Sequence, residues 1–254
     1  MAPTPKSGGA AFHMLTNLCV MMRTARRGAC QSLPRRTPMP GDEPLLRLHE
    51  FRHEYAPDAV IEMEELILSA GELVALTGPS GTGKTTILRA IAGMLPVTDG
   101  ELWLGRKQIT TARQRRLLRP AIVAFVPQDL QLVRELTALE NVELPGIISP
   151  ESRRMPAQKA LDQLGLAALA QRFPDSLSGG QQQRVAIARA VATSARVLLL
   201  DEPSAALDID ATKQMMGTLR SAIRGRSGAI VATHDPAVMK RADRTVDLVG
   251  ATVS

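Results

Sequence analysis

The sequence predicts an α/β fold: a mostly parallel core sheet covered by helices, with a small antiparallel β subdomain and an inserted helical subdomain. Three observations point to it. From Leu45 onward, short apolar runs alternate with helical stretches, the rhythm of β-α-β units. One such run, Leu73-Val74-Ala75-Leu76-Thr77, feeds a glycine-rich loop, and another, Val197-Leu198-Leu199-Leu200, ends in Asp201 and Glu202. At 254 residues, 44% hydrophobic and 22% charged, the chain suits one large α/β domain or two small ones.

Residues 1–43 read as a basic, disordered arm or as upstream sequence, with Met22 and Met39 as alternative starts. Their apolar patch, Ala10 to Met22, precedes its positive charges, the wrong order for a secretory signal. A membrane-surface anchor is the sharper reading of that patch. Residues 44–254 read as a single domain, since no internal repeat is visible. Phe51 to Pro57 marks a first strand region, and Leu73–Thr77 is a buried strand. Residues 84–94 form a helix, Ile122–Val126 a strand, and 156–170 and 181–194 helices, while Val197–Leu200 and Ala229–Thr233 complete the inner strands. Residues of about 130–180, broken by Pro145, Pro150, Pro156 and Pro174, form the helical insert.

The net charge of +6 suggests a nucleic-acid partner until its location is considered. Lys6, Arg23, Arg26, Arg27, Arg35 and Arg36 lie in residues 1–40, which hold no acid. The other 25 basic residues match 25 acidic ones, so the rest of the chain is formally neutral and no nucleic acid is expected. Arg113, Arg115, Arg116 and Arg119 read as a solvated helix face. Cys19 and Cys30 fall in the arm, too far apart for a metal or redox pair, and the four histidines lack zinc spacing. No run approaches the roughly 18 apolar residues that cross a bilayer, so a membrane role is peripheral.

The loop Gly78-Pro79-Ser80-Gly81-Thr82-Gly83-Lys84-Thr85, followed by Thr86, fits the pattern G-x-x-x-x-G-K-[ST]. Its glycines let backbone N–H groups turn inward on phosphates, the helix beginning near Lys84 adds its positive end, and Lys84 adds a mobile cation. The Thr85 hydroxyl is placed to ligate Mg²⁺. By chance the pattern arises in on the order of 1% of chains this long, so it needs company. Asp201 and Glu202 supply it, because carboxylates ending an apolar strand are costly to bury without a cation or hydrogen bonds. Asp201 is then a metal ligand through water and Glu202 a general base. Between these elements, Leu177-Ser178-Gly179-Gly180-Gln181 opens a helix and makes a second anion cradle.

These three elements, in this order, resemble the ATP-binding cassette ATPases, P-loop NTPases, over roughly residues 44 to 250. The resemblance implies ATP and Mg²⁺ as ligands and assigns Glu202 to the catalytic carboxylate position. Gln128, after Val126-Pro127, matches the Q-loop glutamine that contacts metal and water, and His234, after Thr233, matches the switch histidine at the γ-phosphate. It implies a head-to-tail dimer in which each ATP lies between one chain's P-loop and the other's Ser178–Gln181 loop. Ser204-Ala205-Ala206-Leu207-Asp208 resembles the D-loop joining the two sites, with Asp208 at the matching position; Ala205-Ala206 departs from its more frequent wording. Tyr55, the single tyrosine, stands near the adenine-stacking aromatic, with Phe51 as competitor.

The implied function is the ATP-hydrolysing subunit of a transporter, peripheral on the cytoplasmic face of the inner membrane and bound to separate transmembrane permease subunits. The wording Thr137-Ala138-Leu139-Glu140-Asn141-Val142 and the 20 residues after His234 are similar to ATPases of the lipoprotein-release and macrolide-export type. Leu130 to Pro145 lies where such proteins receive the transmembrane partner. The alternatives are a soluble cassette ATPase and the cell-division type of that group, which acts mechanically without transport.

Overall fold

The computed structural model describes residues 43–248 except 57–58, 117, 119–121, 153 and 224. The arm expected over 1–43 lies outside the described residues but for Glu43. Along the chain, strands β1 (Leu46–Ala56), β2 (Ala59–Leu68) and β3 (Leu73–Thr77) precede helix α1 (Lys84–Ile91). Then come β4 (Asp99–Leu104), β5 (Lys107–Gln108), α2 (Ala112–Arg116) and β6 (Val123–Val126). Helices α3 (Ala138–Ile148), α4 (Ala157–Gln163) and α5 (Gly179–Val191) follow with short 3₁₀ turns between them. The chain closes through β7 (Val197–Asp201), α6 (Ile209–Ala222), β8 (Gly228–Ala232), α7 (Pro236–Met239) and β9 (Arg244–Asp247).

The architecture is the expected one: a parallel sheet of order β6-β7-β8-β3-β9 and an antiparallel sheet of order β2-β1-β4-β5. β3, β7 and β8 are buried at every residue, as strands covered on both faces must be. Their alternate residues feed two cores. Val197 and Leu199 join Ile87, Leu88 and Ile91 of α1 and the antiparallel sheet. Leu198 and Leu200 join Val185, Ala186 and Ile187 of α5, with α3, α4 and α6. Helices α1 and α5 therefore lie on opposite faces of the parallel sheet.

Several boundaries differ from expectation, each for a local reason. α1 stops at Ile91 rather than 94: Gly93 follows at φ 71°, and its missing Cβ admits the Arg115 carbonyl, which would stand 2.7 Å from one. The helix expected over 156–170 ends at Gln163, ahead of Gly165 at φ 69°, and Ala167–Leu169 is a separate 3₁₀ turn. α5 starts at Gly179, not 181, because Ser178 caps it, and stops at Val191. β1 is longer than the strand region read at 51–57 and contains a bulge. Leu46, Leu48 and Phe51 all face the core, a break in two-residue alternation at Glu50, whose φ is 49°. Gly100 makes the bulge possible, since a Cβ there would run into the His49 and Glu50 carbonyls.

Candidate active site

The loop between β3 and α1 is built for anions. Gly78, Gly81 and Gly83 have φ of 145°, 82° and 97°, and no side chain caps α1, so its first N–H groups are open to a ligand. Gly83 also lies so close to Ile61 of β2 that a Cβ would meet that side chain at 2.6–2.7 Å. Thr82 Oγ1 donates to the Pro79 carbonyl at 2.9 Å and so braces the loop. Lys84 is 8% exposed, and its ammonium donates to the carbonyls of Gly78 (2.8 Å) and Pro79 (2.9 Å). A buried cation held only by carbonyl dipoles is incompletely matched, and a phosphate in the loop would complete it.

The next strand of the parallel sheet that carries chemistry is β7. Its last residue, Asp201, is buried and accepts a 2.8 Å hydrogen bond from Thr85 Oγ1. Burial pushes the Asp201 carboxyl above its ordinary value, and the neighbouring Glu202 charge adds to that; the Thr85 bond and the charges of Arg89 and Lys84 work against it. This is a carboxylate short of positive charge. Glu202 turns the chain at φ 48°, sparsely populated for a non-glycine residue, while its N–H donates to the Ala232 carbonyl at 2.9 Å. The turn brings Glu202 Oε1 to within 3.0 Å of His234 Nδ1, which stands past the end of β8. The two side chains differ in exposure, 15% for Glu202 and 75% for His234, so the histidine is the solvent side of the pair.

The parallel register explains why these groups meet. Val126 pairs with Leu200, Asp201 with Ala232, and Leu76 with Ala232, so the chain leaves β6, β7, β8 and β3 at one common edge. Ligands of such sheets sit outside the carboxyl ends of the strands. Thr85 is joined to Asp201 there and Glu202 to His234, with Lys84 preceding Thr85 and bonded to its own loop. Gln128 leaves the same edge from β6 but is exposed, and among the described residues it makes no hydrogen bond to the loop or to Asp201.

Of the two candidate aromatics, Phe51 is buried in the core at 1% exposure, whereas Tyr55 is 57% exposed. The Tyr55 hydroxyl lies 3.0 Å from Thr86 Oγ1, at the start of α1. His53, not singled out in the sequence, meets the Tyr55 ring edge to face at 4.6 Å. A strand pattern of Phe51, His53 and Tyr55 at every second residue is the signal that finds it.

Ser178 and Gln181 form a reciprocal cap on α5: Ser178 N–H donates to Gln181 Oε1 at 2.9 Å, and Ser178 Oγ accepts from Gln181 N–H at 3.3 Å. Gly179 and Gly180 form the first turn. Gly180 packs on the chain beyond β7, where a Cβ would stand 2.7 Å from the Ala206 carbonyl. Asp208 caps α6 through the Ala211 N–H at 2.7 Å, a local task. Among the described residues no hydrogen bond joins this second cradle to the first, and the helices behind them, α5 and α1, pack in different cores.

Comparison with known proteins agrees with this geometry. The ABC transporter family pattern matches residues 63–205. The lipoprotein-releasing system ATP-binding protein LolD of Granulibacter bethesdensis is 42% identical over 214 residues, covering 80% of this chain and 93% of that protein. The macrolide export ATP-binding/permease protein MacB of Escherichia coli O157:H7 is 36% identical over 81% of this chain and 33% of its own length. Among solved structures, the dimer of MJ0796, a bacterial ABC transporter cassette, superposes with a TM-score of 0.70 at 32% identity, covering 80% of this chain and 93% of that one. A post-hydrolysis dimer of the same cassette, bound to ADP and Pi, gives 0.69 at 31% identity and the same coverage. The chain belongs to the ABC transporter family, as an ATP-binding, ATP-hydrolysing subunit.

Proposed function

We propose that this chain works as half of a two-site motor: two cassettes, identical or paralogous, close head to tail over two ATP molecules and drive separate transmembrane permease subunits. The observation that carries this is that one chain holds two anion cradles at the starts of two separate helices, α1 and α5, which pack in different cores. In a head-to-tail pair each ATP is held by one chain's glycine loop and the other chain's Ser178–Gln181 turn, and the solved cassettes similar to this chain are dimers. The cassette takes in residues 44–254 with its helical part at about 130–180. It docks peripherally on the cytoplasmic face of the inner membrane. No helix among the described residues is long and apolar enough to cross a membrane.

Each side chain has a task in this scheme. Gly78, Pro79, Ser80, Gly81, Thr82 and Gly83 present N–H groups to the β- and γ-phosphates, and Lys84 leaves its carbonyl partners for their oxygens. Tyr55 stacks on the base, and Thr86 anchors its hydroxyl. Thr85 and Asp201, with Gln128, hold Mg²⁺, which neutralises triphosphate charge when bound. The residues fit that ion: Thr85 Oγ1 and a buried Asp201 oxygen stand 2.8 Å apart, and Mg²⁺ commonly takes one or two protein oxygens plus phosphates and water. Glu202 accepts the proton of the attacking water, and His234, hydrogen-bonded to it, fixes its direction and reaches the γ-phosphate. Ser178, Gly179, Gly180 and Gln181 close over the partner's nucleotide, and Asp208 sets the start of the helix beside them. The output is transport of the lipoprotein-release or macrolide-export type.

The test is Mg²⁺-ATP hydrolysis by the chain and by Glu202→Gln, with sedimentation of both. The parent should turn over ATP, and the variant should lose about 10²–10⁴-fold in rate and accumulate an ATP-bound dimer. Parental turnover in the variant would end the assignment of Glu202. A monomer that hydrolyses ATP at full rate would end the two-site motor.

A further inference from the structure

We propose that Arg189 is a positioning residue for Gln128, holding the loop that carries this glutamine in a strained conformation and tying it to the helix that Ser178 caps. The inference rests on the reading of Gln128 as a contact to metal and water.

Just past Gln128, Leu130 and Gln131 have φ of 58° and 47°, two consecutive side-chain-bearing residues in left-handed backbone. Such a pair persists only where the surroundings impose it. The imposing group is one side chain from α5. Arg189 Nη2 donates to the Leu130 carbonyl at 2.6 Å and Nη1 to the Gln131 carbonyl at 2.7 Å. Among the described residues no carboxylate pairs with Arg189, and burial lowers the affinity of its guanidinium for its proton. The cation and the two carbonyls therefore need each other: among the described residues neither has another partner to offset desolvation. A planar fork is required, because a lysine would present one point charge to two diverging carbonyls.

The far end of the loop is fastened as well. Asn141 of α3 is fully buried, accepts from Val133 N–H at 2.8 Å, and donates to the carbonyls of Val133, Leu136 and Thr137 at 2.9–3.0 Å. The loop from Leu130 to Thr137 is thus attached to α3 and α5, while Gln128 follows β6 of the parallel sheet by two residues. Any displacement of α5, the helix closing on the partner's nucleotide in the proposed dimer, is delivered through Arg189 to backbone two residues from Gln128.

The test is a double-variant cycle on the full chain, measuring ATP hydrolysis against Mg²⁺ concentration. Arg189→Met is expected to lower kcat about 10-fold and to raise the Mg²⁺ needed for half-maximal rate several-fold. Adding it to Gln128→Ala should cost nothing further, since both remove the same function. Arg189→Lys should behave like Arg189→Met. Should Arg189→Met fail to fold, Leu130→Gly with Gln131→Gly supplies residues that take left-handed backbone with no imposing group. Added to Arg189→Met, the glycine pair should restore folding and return the Mg²⁺ requirement toward that of the parent. Losses that multiply in the double variant, or a fall in melting temperature with the Mg²⁺ requirement unmoved, would overturn the inference and leave Arg189 a structural residue. If Gln128→Ala alone changes neither rate nor Mg²⁺ requirement, the reading of Gln128 falls, and the inference with it.

Discussion

Thr85 Oγ1 donates to Asp201 Oδ2 across 2.8 Å, joining the first turn of α1 to the end of β7 over 116 positions of sequence. Neither residue has a cation within the pair, and the carboxylate is buried. Two oxygens pre-set at this distance suit the proposed Mg²⁺, whose charge would offset that of the buried carboxylate.

Substituting the carboxylate tests this. Burial raises the folded-state pKa of Asp201 above its unfolded value of 3.8. Below that value both states are protonated and the group is neutral in its effect; as pH rises through the raised folded value, ionisation in the buried site costs stability. Without Mg²⁺ and nucleotide, Asp201→Asn should therefore melt above the parent at pH 7 and level with it near the unfolded pKa, read by calorimetry at both pH values. Its Mg²⁺-ATP hydrolysis should fall by on the order of 100-fold. A melting shift of equal size at both pH values would remove burial of the charge as the cause.

The stacking ring gives a graded prediction. Tyr55→Phe keeps the exposed ring and loses the hydroxyl bond to Thr86, so KM for ATP should rise no more than about 2-fold to 5-fold. Tyr55→Ala loses the ring and should raise KM by about 10-fold, since a face-stacked aromatic is worth roughly 0.5–1.5 kcal/mol. kcat should hold in both, as the contacts of the ring are to Thr86 and His53 and not to Glu202 or His234. Equal effects in the two variants would mean that the hydroxyl, and not the ring, serves the nucleotide.

Glycines separate local conformational need from close approach. Gly83→Ala meets both obstacles, φ of 97° and an Ile61 side chain 2.6–2.7 Å from the new Cβ, so it should destabilise the chain by about 2 kcal/mol or more and abolish nucleotide binding. Gly180 sits in ordinary helical backbone. Its Ala variant confronts the Ala206 carbonyl at 2.7 Å and, less closely, the Leu207 side chain at 3.4 Å, both on the segment running from Glu202 to the α6 cap. Gly180→Ala should leave ATP binding intact while lowering kcat, because it shifts the backbone beyond Glu202, the proposed general base. Binding by fluorescence titration and turnover by phosphate release check the split.

The parts of the site legible in sequence are those whose chemistry is contiguous. Gly78 to Thr86 form one loop and one helix turn, and Val197 to Glu202 one strand and its end, so residue types and order suffice. What escaped depends on pairs far apart. Glu50 could not be read as a bulge, because the Gly100 backbone that accommodates it is on another strand. Arg189 looks like Arg184 in the same helix, and only the fold shows one facing the Leu130 and Gln131 carbonyls and the other facing Leu164. The overlong helices at 84–94 and 156–170 had the opposite cause: apolar periodicity ran past Gly93 and Gly165, whose left-handed backbone ends the helix regardless.

The Ser178 cap permits an experiment in which stability and function are expected to move in opposite directions. Ser178 accepts from Gln181 N–H, and Ala in its place removes that acceptor at a cost of about 1 kcal/mol. Aspartate caps a helix as well as serine does and suits the positive end of α5, so Ser178→Asp should keep or raise the melting temperature. It also puts a negative charge where a partner's phosphate is to be held. ATP-driven dimerisation should then disappear in Ser178→Asp and be only weakened in Ser178→Ala, although the alanine variant is the less stable of the two. Because Ser178 makes no hydrogen bond to the P-loop among the described residues, ATP binding to the monomer should be unchanged in both. Sedimentation with ATP, in a Glu202→Gln background that prevents turnover, reads the dimer directly. An Asp variant that dimerises like its parent would show that this cap serves the helix alone and that the second cradle takes no phosphate.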